Sequence, residues 1–346
     1  MGPSERDRGP SQKRIEISAY GPAEDVAHCV EAADVGAPGD GEVVFEVLAF
    51  PINPADIWFC RGTYRLRPPL PATPGAECVG RVVSVGRGVT RVAAGDLVIN
   101  LQRENWTQRR KVGEADVIRL PPGINLRQAA MIRINPPTAL LMLTDLAPLK
   151  AGDWIIQNAA NSAVGRLVIV LAKYRGIKTL NVVRRADAIP ELLALGGDAC
   201  LVDSPDLAAR IREAAGGEDI RLGIDAVAGE ATARLAGAVA DGGVVCNYGS
   251  MSDADPVVAK GDLIFRGVSL TGFMVGRVLA QRTADEIDQV YGTIADMVMS
   301  GQLVTPVEQV YPIEEIRAAL LHAQRSRQGG KILVAPNGSE ALLDAS

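Results

Sequence analysis

The spacing of hydrophobic positions changes character near residue 135. Upstream, apolar residues come in short alternating or clustered runs. Glu42 to Ala49 (EVVFEVLA) and Gly80 to Gly86 (GRVVSVG) read as strands, and Gly39-Asp40 and Gly95-Asp96 mark turns. Several short strands between Gly/Pro turns predict a compact, partly open β-barrel. Downstream of Asn135-Pro-Pro-Thr138, short apolar runs alternate with helical periods. Strands are predicted at 153–157, 178–183, 199–203, 221–226, 243–248 and 269–272, with helices at 165–175, 188–195, 206–215 and 230–238. This α/β alternation implies parallel strands with right-handed crossovers, a doubly wound sheet. Two amphipathic runs follow: Thr283 to Ser300, with Ile287, Val290, Ile294 and Met297 on one face, and Ile313 to Arg325. A strand at 330–334 comes last. A C-terminal segment returning to the β-rich part makes that part discontinuous. The expected domains are 1–133 with 274–346, and 134–273.

The first strand–turn–helix of the second part is Asp153-Trp-Ile-Ile-Gln-Asn-Ala-Ala-Asn-Ser-Ala-Val-Gly-Arg166. It has the form in which a dinucleotide-binding βαβ unit begins, although the three glycine places of G-x-G-x-x-G fall on Ala160, Ser162 and Gly165. Only the glycine that lets helix and strand pack closely remains. A helix opening near Ala163 and Val164 offers unpaired N–H groups and a positive dipole end to a pyrophosphate. At the end of the second strand, where an NAD site carries an acidic residue, the chain reads Asn181-Val-Val-Arg-Arg185. Arg184 and Arg185 suit the 2′-phosphate of NADPH; the alternative is plain solvated charge. Ligands of such sheets lie beyond the carboxyl ends of the strands. That makes Tyr248, Gly249, Ser250 and Met251 candidates for the nicotinamide side, against the alternative of an ordinary turn.

Composition narrows the classes. The 346 residues carry a formal net charge of −5, and 47% are hydrophobic while 4% are aromatic. The core is therefore aliphatic, and neither nucleic acid nor an anionic membrane is expected as partner. No apolar run reaches the ~18–20 residues of a membrane span. Five scattered cysteines without C-x-x-C, and only two histidines, point to a reducing compartment and give no zinc spacing. Met1 to Arg14 is polar and charged and lacks the apolar stretch of a secretory signal. The expectation is a frayed tail and a cytoplasmic protein. Arg325 and Arg327 read as a solvated basic helix end, or as a contact for the phosphates of CoA.

Three further segments sharpen the reading: Ile52-Asn-Pro-Ala-Asp-Ile-Trp-Phe-Cys-Arg-Gly-Thr-Tyr64, Pro74-Gly-Ala-Glu-Cys-Val-Gly80 and Ile134-Asn-Pro-Pro-Thr-Ala-Leu140. With Gln157 to Gly165 and Asn181 to Arg184, they resemble the medium-chain dehydrogenase/reductase superfamily, and within it the mitochondrial-type trans-2-enoyl-CoA/ACP reductases. The resemblance covers about residues 15 to 335. It implies a GroES-like β-barrel catalytic domain plus a Rossmann domain, NADPH as cofactor, an acyl thioester on CoA or acyl carrier protein as substrate, and a homodimer joined through the last strands of the cofactor sheets. It implies no metal: Ala76 stands where zinc-dependent relatives carry the His of G-H-E, and the four cysteines of their zinc lobe are missing.

Carried over residue by residue, the resemblance makes Tyr64 the proton donor and places Asn135 at the nicotinamide. It puts Asn161, Ser162, Ala163 and Val164 around the pyrophosphate and Arg184 and Arg185 on the 2′-phosphate. Tyr248 to Met251 and Phe273, Met274 and Val275 flank the nicotinamide and substrate channel, and Lys331 is a further cofactor contact. Trp58, Cys60, Trp106 and Met274 are expected around the substrate. The family carries G-F-W-L where this chain has Gly272-Phe-Met-Val275, and the thioether gives a softer wall.

The chemistry asks for a hydride donor facing C3, donors for the enolate oxygen and an acid for C2. A phenol suits the last role. Cys60 has no nearby histidine in sequence to activate it, which makes it a lining thiol rather than a nucleophile. The runner-up reading is a zinc-free NADPH quinone or enone reductase. A non-catalytic NADPH-binding protein is the reading from another class.

Overall fold

The structure, a computed structural model, describes residues 10–325 and 329–342. Most of the expected N-terminal tail, and Arg327 of the basic helix end, lie outside those residues. The chain divides into two compact units, Met1–Ile134 with Ala284–Ser346, and Asn135–Thr283.

The first unit opens with β1 (Ser11–Ile17), a one-turn helix α1 (Ala23–Val26) and β2 (Ala27–Ala33), which pairs antiparallel with β1. Then come β3 (Glu42–Pro51), α2 (Pro54–Arg61), β4 (Val79–Val85), β5 (Leu97–Asn100), β6 (Arg109–Gly113), β7 (Val117–Arg119) and the short α3 (Leu126–Ala129). The long strand β3 is buried along most of its length, and it pairs with β4 along one edge and with β6 and the chain's last strand along the other. Its Phe45 and Phe50 join Ile15, Ile17 and Trp106 among the largest fully buried side chains.

The second unit starts at α4 (Asn135–Asp145) and alternates strictly: β8 (Trp154–Gln157), α5 (Ala163–Tyr174), β9 (Lys178–Val183), α6 (Ile189–Leu195), β10 (Ala199–Val202), α7 (Leu207–Ala214), β11 (Ile220–Asp225), α8 (Glu230–Ala236), β12 (Val244–Asn247), α9 (Lys260–Ile264), β13 (Ser269–Gly272) and α10 (Val275–Leu279). All six strands are parallel, in the order β10-β9-β8-β11-β12-β13. The order reverses between β8 and β11. That switch point is where open sheets of this kind take a dinucleotide. Leu180, Val182, Leu235, Val239 and Val245 pack on one face of the sheet, and Ile169, Val183 and Leu192 belong to a second cluster.

After Thr283 the chain rejoins the first unit with α11 (Ala284–Met299), β14 (Val307–Pro312), α12 (Ile316–Ala323) and β15 (Lys331–Ala335). The apolar face of α11 buries Val290, Tyr291, Ile294 and Met297, and the Tyr291 hydroxyl donates to the Arg133 carbonyl at 3.0 Å. The barrel sheet then runs β14-β15-β3-β4-β5-β7, with β6 on β3. The second junction falls at 283/284, not at the expected 273/274. Arg282 explains why: its guanidinium bonds Asp145 at 2.6 Å, at the end of α4, and so holds α10 to the second unit.

Candidate active site

In the first unit the site begins with a helix start. Asn53 and Asp56 form a reciprocal capping box at α2, with Pro54 at its first position. Asp56 is fully buried. One carboxylate oxygen accepts from the Asn53 N–H at 3.0 Å and the other from the Ala76 N–H at 2.9 Å. Helix α2 ends on Gly62, whose φ of +71° is the left-handed cap that a side chain would strain. The chain then folds back, and the N–H groups of Thr63 and Tyr64 both donate to the Trp58 carbonyl, at 3.0 and 3.1 Å. Tyr64 is thereby fixed by its backbone. Its hydroxyl makes no hydrogen bond among the described residues.

The other expected members of this half fall into two groups. Trp58 is half-buried beside the turn. Cys60 and Trp106 are corrections: with 0% exposure both belong to the core rather than to a pocket wall. Trp106 stacks on Phe50, with ring centres 5.5 Å apart. Burial pushes the Cys60 thiol up to about 12, which keeps it protonated and unreactive. Lys331, at the start of β15, donates from Nζ to Asn53 Oδ1 at 2.6 Å, and Asn53 Nδ2 donates to Glu77 Oε1 at 2.8 Å. The second Glu77 oxygen accepts from the Ile134 N–H at 3.0 Å. Burial pushes the carboxyls of Asp56 and Glu77 up and the Lys331 amine down. Arg133 caps this network, donating to the carbonyls of Ala76 and Leu101. Among the described residues no three His, Cys, Asp or Glu side chains are grouped as metal ligands.

In the second unit the switch-point turn is built as its composition predicts, with one shift. Ala159, one residue before the expected glycine place, takes the left-handed conformation at φ +46°. Ser162 caps α5 by accepting from the Gly165 N–H at 3.1 Å. The retained Gly165 is explained by contact: a Cβ there would lie 2.6 Å from the Ala160 carbonyl oxygen. Ala163 and Val164 N–H have no acceptor among the described residues, and Asn161 is exposed beside them. Gln157 and Asn181, part of the sequence signature, are structural. Buried Gln157 Nε2 donates to Gly165 O and Asn181 Oδ1, both at 2.8 Å, locking β8, β9 and α5 together.

Sequence reasoning passed over the hub of this half. Asp225, at the end of β11, is fully buried. It accepts from Asn158 at 2.6 Å, Thr232 at 2.6 Å, Asn247 at 2.9 Å and the N–H groups of Val227 and Ala228. It fixes the carboxyl ends of β8, β11 and β12. An acid closing an otherwise apolar strand was the available signal.

Arg184 is exposed and without a hydrogen bond or ion pair among the described residues, while Arg185 is paired with Asp187. An exposed pair of this kind is worth at most about 1 kcal/mol, little against a phosphate. Burial pushes the phenol of Tyr248 up. Gly249 packs on Ala226, where a Cβ would come within 2.9 Å of the carbonyl oxygen. Ser250 bonds the Ala254 carbonyl weakly at 3.4 Å, and Met251 is 58% exposed. Phe273 is buried, Met274 is exposed at the start of α10, and Val275 is half-buried beside it. Asn135 opens α4. Free helix-end donors, a small-residue turn and an unpaired arginine at the second strand's end form a donor set that fits NADPH.

Comparison with known proteins agrees with both halves. Residues 39–124 match the alcohol dehydrogenase GroES-like domain, and residues 163–291 match the zinc-binding dehydrogenase domain. The mitochondrial enoyl-[acyl-carrier-protein] reductase of Bos taurus is 34% identical over 319 residues, covering 89% of this chain and 85% of that protein. A Bacillus thuringiensis protein described as an NADPH:quinone reductase superposes with a TM-score of 0.88 at 26% identity, covering 94% of this chain and 99% of that one. The mitochondrial 2-enoyl thioester reductase Etr1p/Etr2p heterodimer from Candida tropicalis shares the fold, with a TM-score of 0.85 at 24% identity over 94% and 100% of the two chains. These findings overturn the expected cytoplasmic location, because the curated relatives are mitochondrial by name. The chain belongs to the mitochondrial-type enoyl-[acyl-carrier-protein] reductases of the medium-chain dehydrogenase/reductase superfamily.

Proposed function

We propose that the protein is an NADPH-dependent reductase of the C2=C3 double bond of trans-2-enoyl thioesters, carried on CoA or acyl carrier protein. The observation that carries this reading is the 34% identity, over 89% of the chain, to a protein named enoyl-[acyl-carrier-protein] reductase. It is supported by a loop tyrosine whose hydroxyl has no acceptor among the described residues. When bound, NADPH supplies the hydride for C3.

The chain's own residues do the rest. The free N–H groups of Ala163 and Val164, with Asn161 and Ser162, receive the pyrophosphate. Arg184 and Arg185 receive the 2′-phosphate, the latter by exchanging Asp187 for it. Asn135, Tyr248 to Met251 and Phe273 to Val275 border the nicotinamide, and Lys331 adds a contact from β15. Trp58 and Met274 border the acyl chain. The Tyr64 hydroxyl gives its proton to C2 as the enolate collapses, leaving a tyrosinate that solvent reprotonates.

Two copies pair through their β13 edges in this reading. The outer position of β13 in its sheet and the exposed Ile264 (69%) and Phe265 (83%) before it support such an interface. A quinone reductase is the second reading, favoured by the Bacillus thuringiensis protein's description. Initial rates with crotonyl and 2-hexenoyl thioesters and with quinones, each with NADPH and NADH, separate the two. Thioester turnover with NADPH is expected. Quinone turnover without thioester turnover overturns the assignment.

A further inference from the structure

An acid that must deliver its proton to substrate carbon cannot have its hydroxyl tied to a protein acceptor, and that of Tyr64 is not tied. Something other than the hydroxyl must then hold the ring. The guanidinium carbon of Arg103 lies 5.1 Å from the centre of the Tyr64 ring and 5.7 Å from that of Phe59. Both distances are within cation–π range. Arg103 is itself anchored from behind by Asp56, at 3.6 Å, the fully buried carboxylate that caps α2. Its buried Nη2 has no hydrogen-bond partner among the described residues, where the ion pair and the two ring faces hold the group.

The turn that presents Arg103 is built for the purpose. Asn105 Nδ2 donates to the Gln102 carbonyl at 2.8 Å, and Asn100 Nδ2 donates to Asn105 Oδ1 at 2.7 Å, both inside the barrel. Glu104, next in sequence, is forced to φ +67° and is pinned through its carboxylate by Arg110 at 3.2 Å. Arg110 also donates to the Arg103 carbonyl at 3.1 Å. Left-handed backbone at a non-glycine residue is unfavourable and persists where surrounding contacts impose it. Here the imposed conformation sets the direction of Arg103.

We propose that Arg103 is the positioning residue of the site: by packing its charge on the face of the Tyr64 ring, anchored by Asp56, it fixes the phenol in its proton-donating orientation. The role rests on the assignment of Tyr64 as acid. It adds a residue that neither the cofactor turn nor the N-P-x-D motif contains. The guanidinium also lies against the ring that carries the negative charge once the proton has left.

The test combines kinetics with a readout that needs no turnover. In Arg103→Met, kcat for crotonyl-CoA is expected to fall about tenfold or more with the KM for NADPH unchanged, as a misplaced catalytic group loses rate and not cofactor binding. Arg103→Lys is expected to recover part of the loss. In a Tyr64→Phe background the same Arg103→Met change is expected to cost less than about twofold, because no acid remains to be positioned. Should Arg103→Met fold poorly around an unpaired Asp56, Arg103→Met with Asp56→Asn removes both charges. Fluorotyrosine at position 64 gives the second readout, a fluorine resonance that Arg103→Met shifts and broadens. An unmoved resonance overturns the proposal whatever the rates. Equal kcat losses in both backgrounds also overturn it, since they mark a general structural role. If the wild-type enzyme reduces no enoyl thioester but the resonance moves, the ring-holding role stands and only the substrate reading fails.

Discussion

Lys331 Nζ donates a 2.6 Å hydrogen bond to Asn53 Oδ1, joining the last strand of the first unit to the residue that caps the helix leading to Tyr64. Glu77 is the acceptor on the far side of Asn53. The three form a buried polar bridge in which each group depends on the next. Removing the amine leaves the buried Asn53 Oδ1 without its donor, which costs about 1–3 kcal/mol. Lys331→Met is therefore expected to lower unfolding stability by roughly 1–3 kcal/mol in urea. Equal stability of wild type and Lys331→Met would contradict the bridge.

Arg184, at the end of the second strand, has no ion pair among the described residues. A charge-assisted bond to phosphate is worth about 1.5–3 kcal/mol, or roughly tenfold to a hundredfold in affinity. Arg184→Ala is expected to raise the dissociation constant for NADPH by that factor and to leave NADH binding unchanged. Titration of nucleotide fluorescence measures both. An equal change for the two nucleotides removes the 2′-phosphate role.

The contact at Gly165 makes a steric prediction. A methyl group there meets the Ala160 carbonyl at 2.6 Å, so helix α5 must move away from β8. Gly165→Ala is expected to weaken NADPH binding at least tenfold in the same titration, whereas Ser162→Ala, which removes one cap, costs about 1 kcal/mol of stability. Normal binding by Gly165→Ala would place the cofactor elsewhere.

The sheet of the second unit was legible because its strands and helices differ in period. Strands β9 and β13 lie where the pattern puts them, and α5 starts two residues early only because Ser162 caps it. Helices α2 and α4 escaped the pattern. Their opening residues, Asn53-Pro54 and Asn135-Pro-Pro137, read as breakers, yet proline is well suited to a helix's first turn. The cofactor turn was legible as local sequence. Asp225 and Arg103 were not, because each acts on groups distant in sequence: Asp225 on Asn158, and Arg103 on Asp56 and Tyr64. The burial of Cys60 and Trp106 likewise comes from packing that no local motif reports.

Three buried thiols predict an alkaline limit to stability. Burial pushes Cys60, Cys78 and Cys246 each from 9.0 up to about 12. A group whose folded value is raised contributes stability that is full below its unfolded value and is lost as pH climbs toward the folded one. Each thiol then costs about 1.4 kcal/mol per pH unit above pH 9. Urea unfolding at pH 8, 9.5 and 10.5 is expected to show a falling midpoint. Replacing Cys78 by Ala should flatten the fall, and an unchanged slope would remove the thiols as its cause.

The assignment of Tyr64 as the acid is the central claim, and Tyr64→Phe tests it most directly. With crotonyl-CoA and saturating NADPH, the variant is expected to lose about 10²–10⁴-fold in kcat, the usual worth of a positioned general acid. Its NADPH dissociation constant should stay at the wild-type value. Turnover by Tyr64→Phe at the wild-type rate would contradict the account.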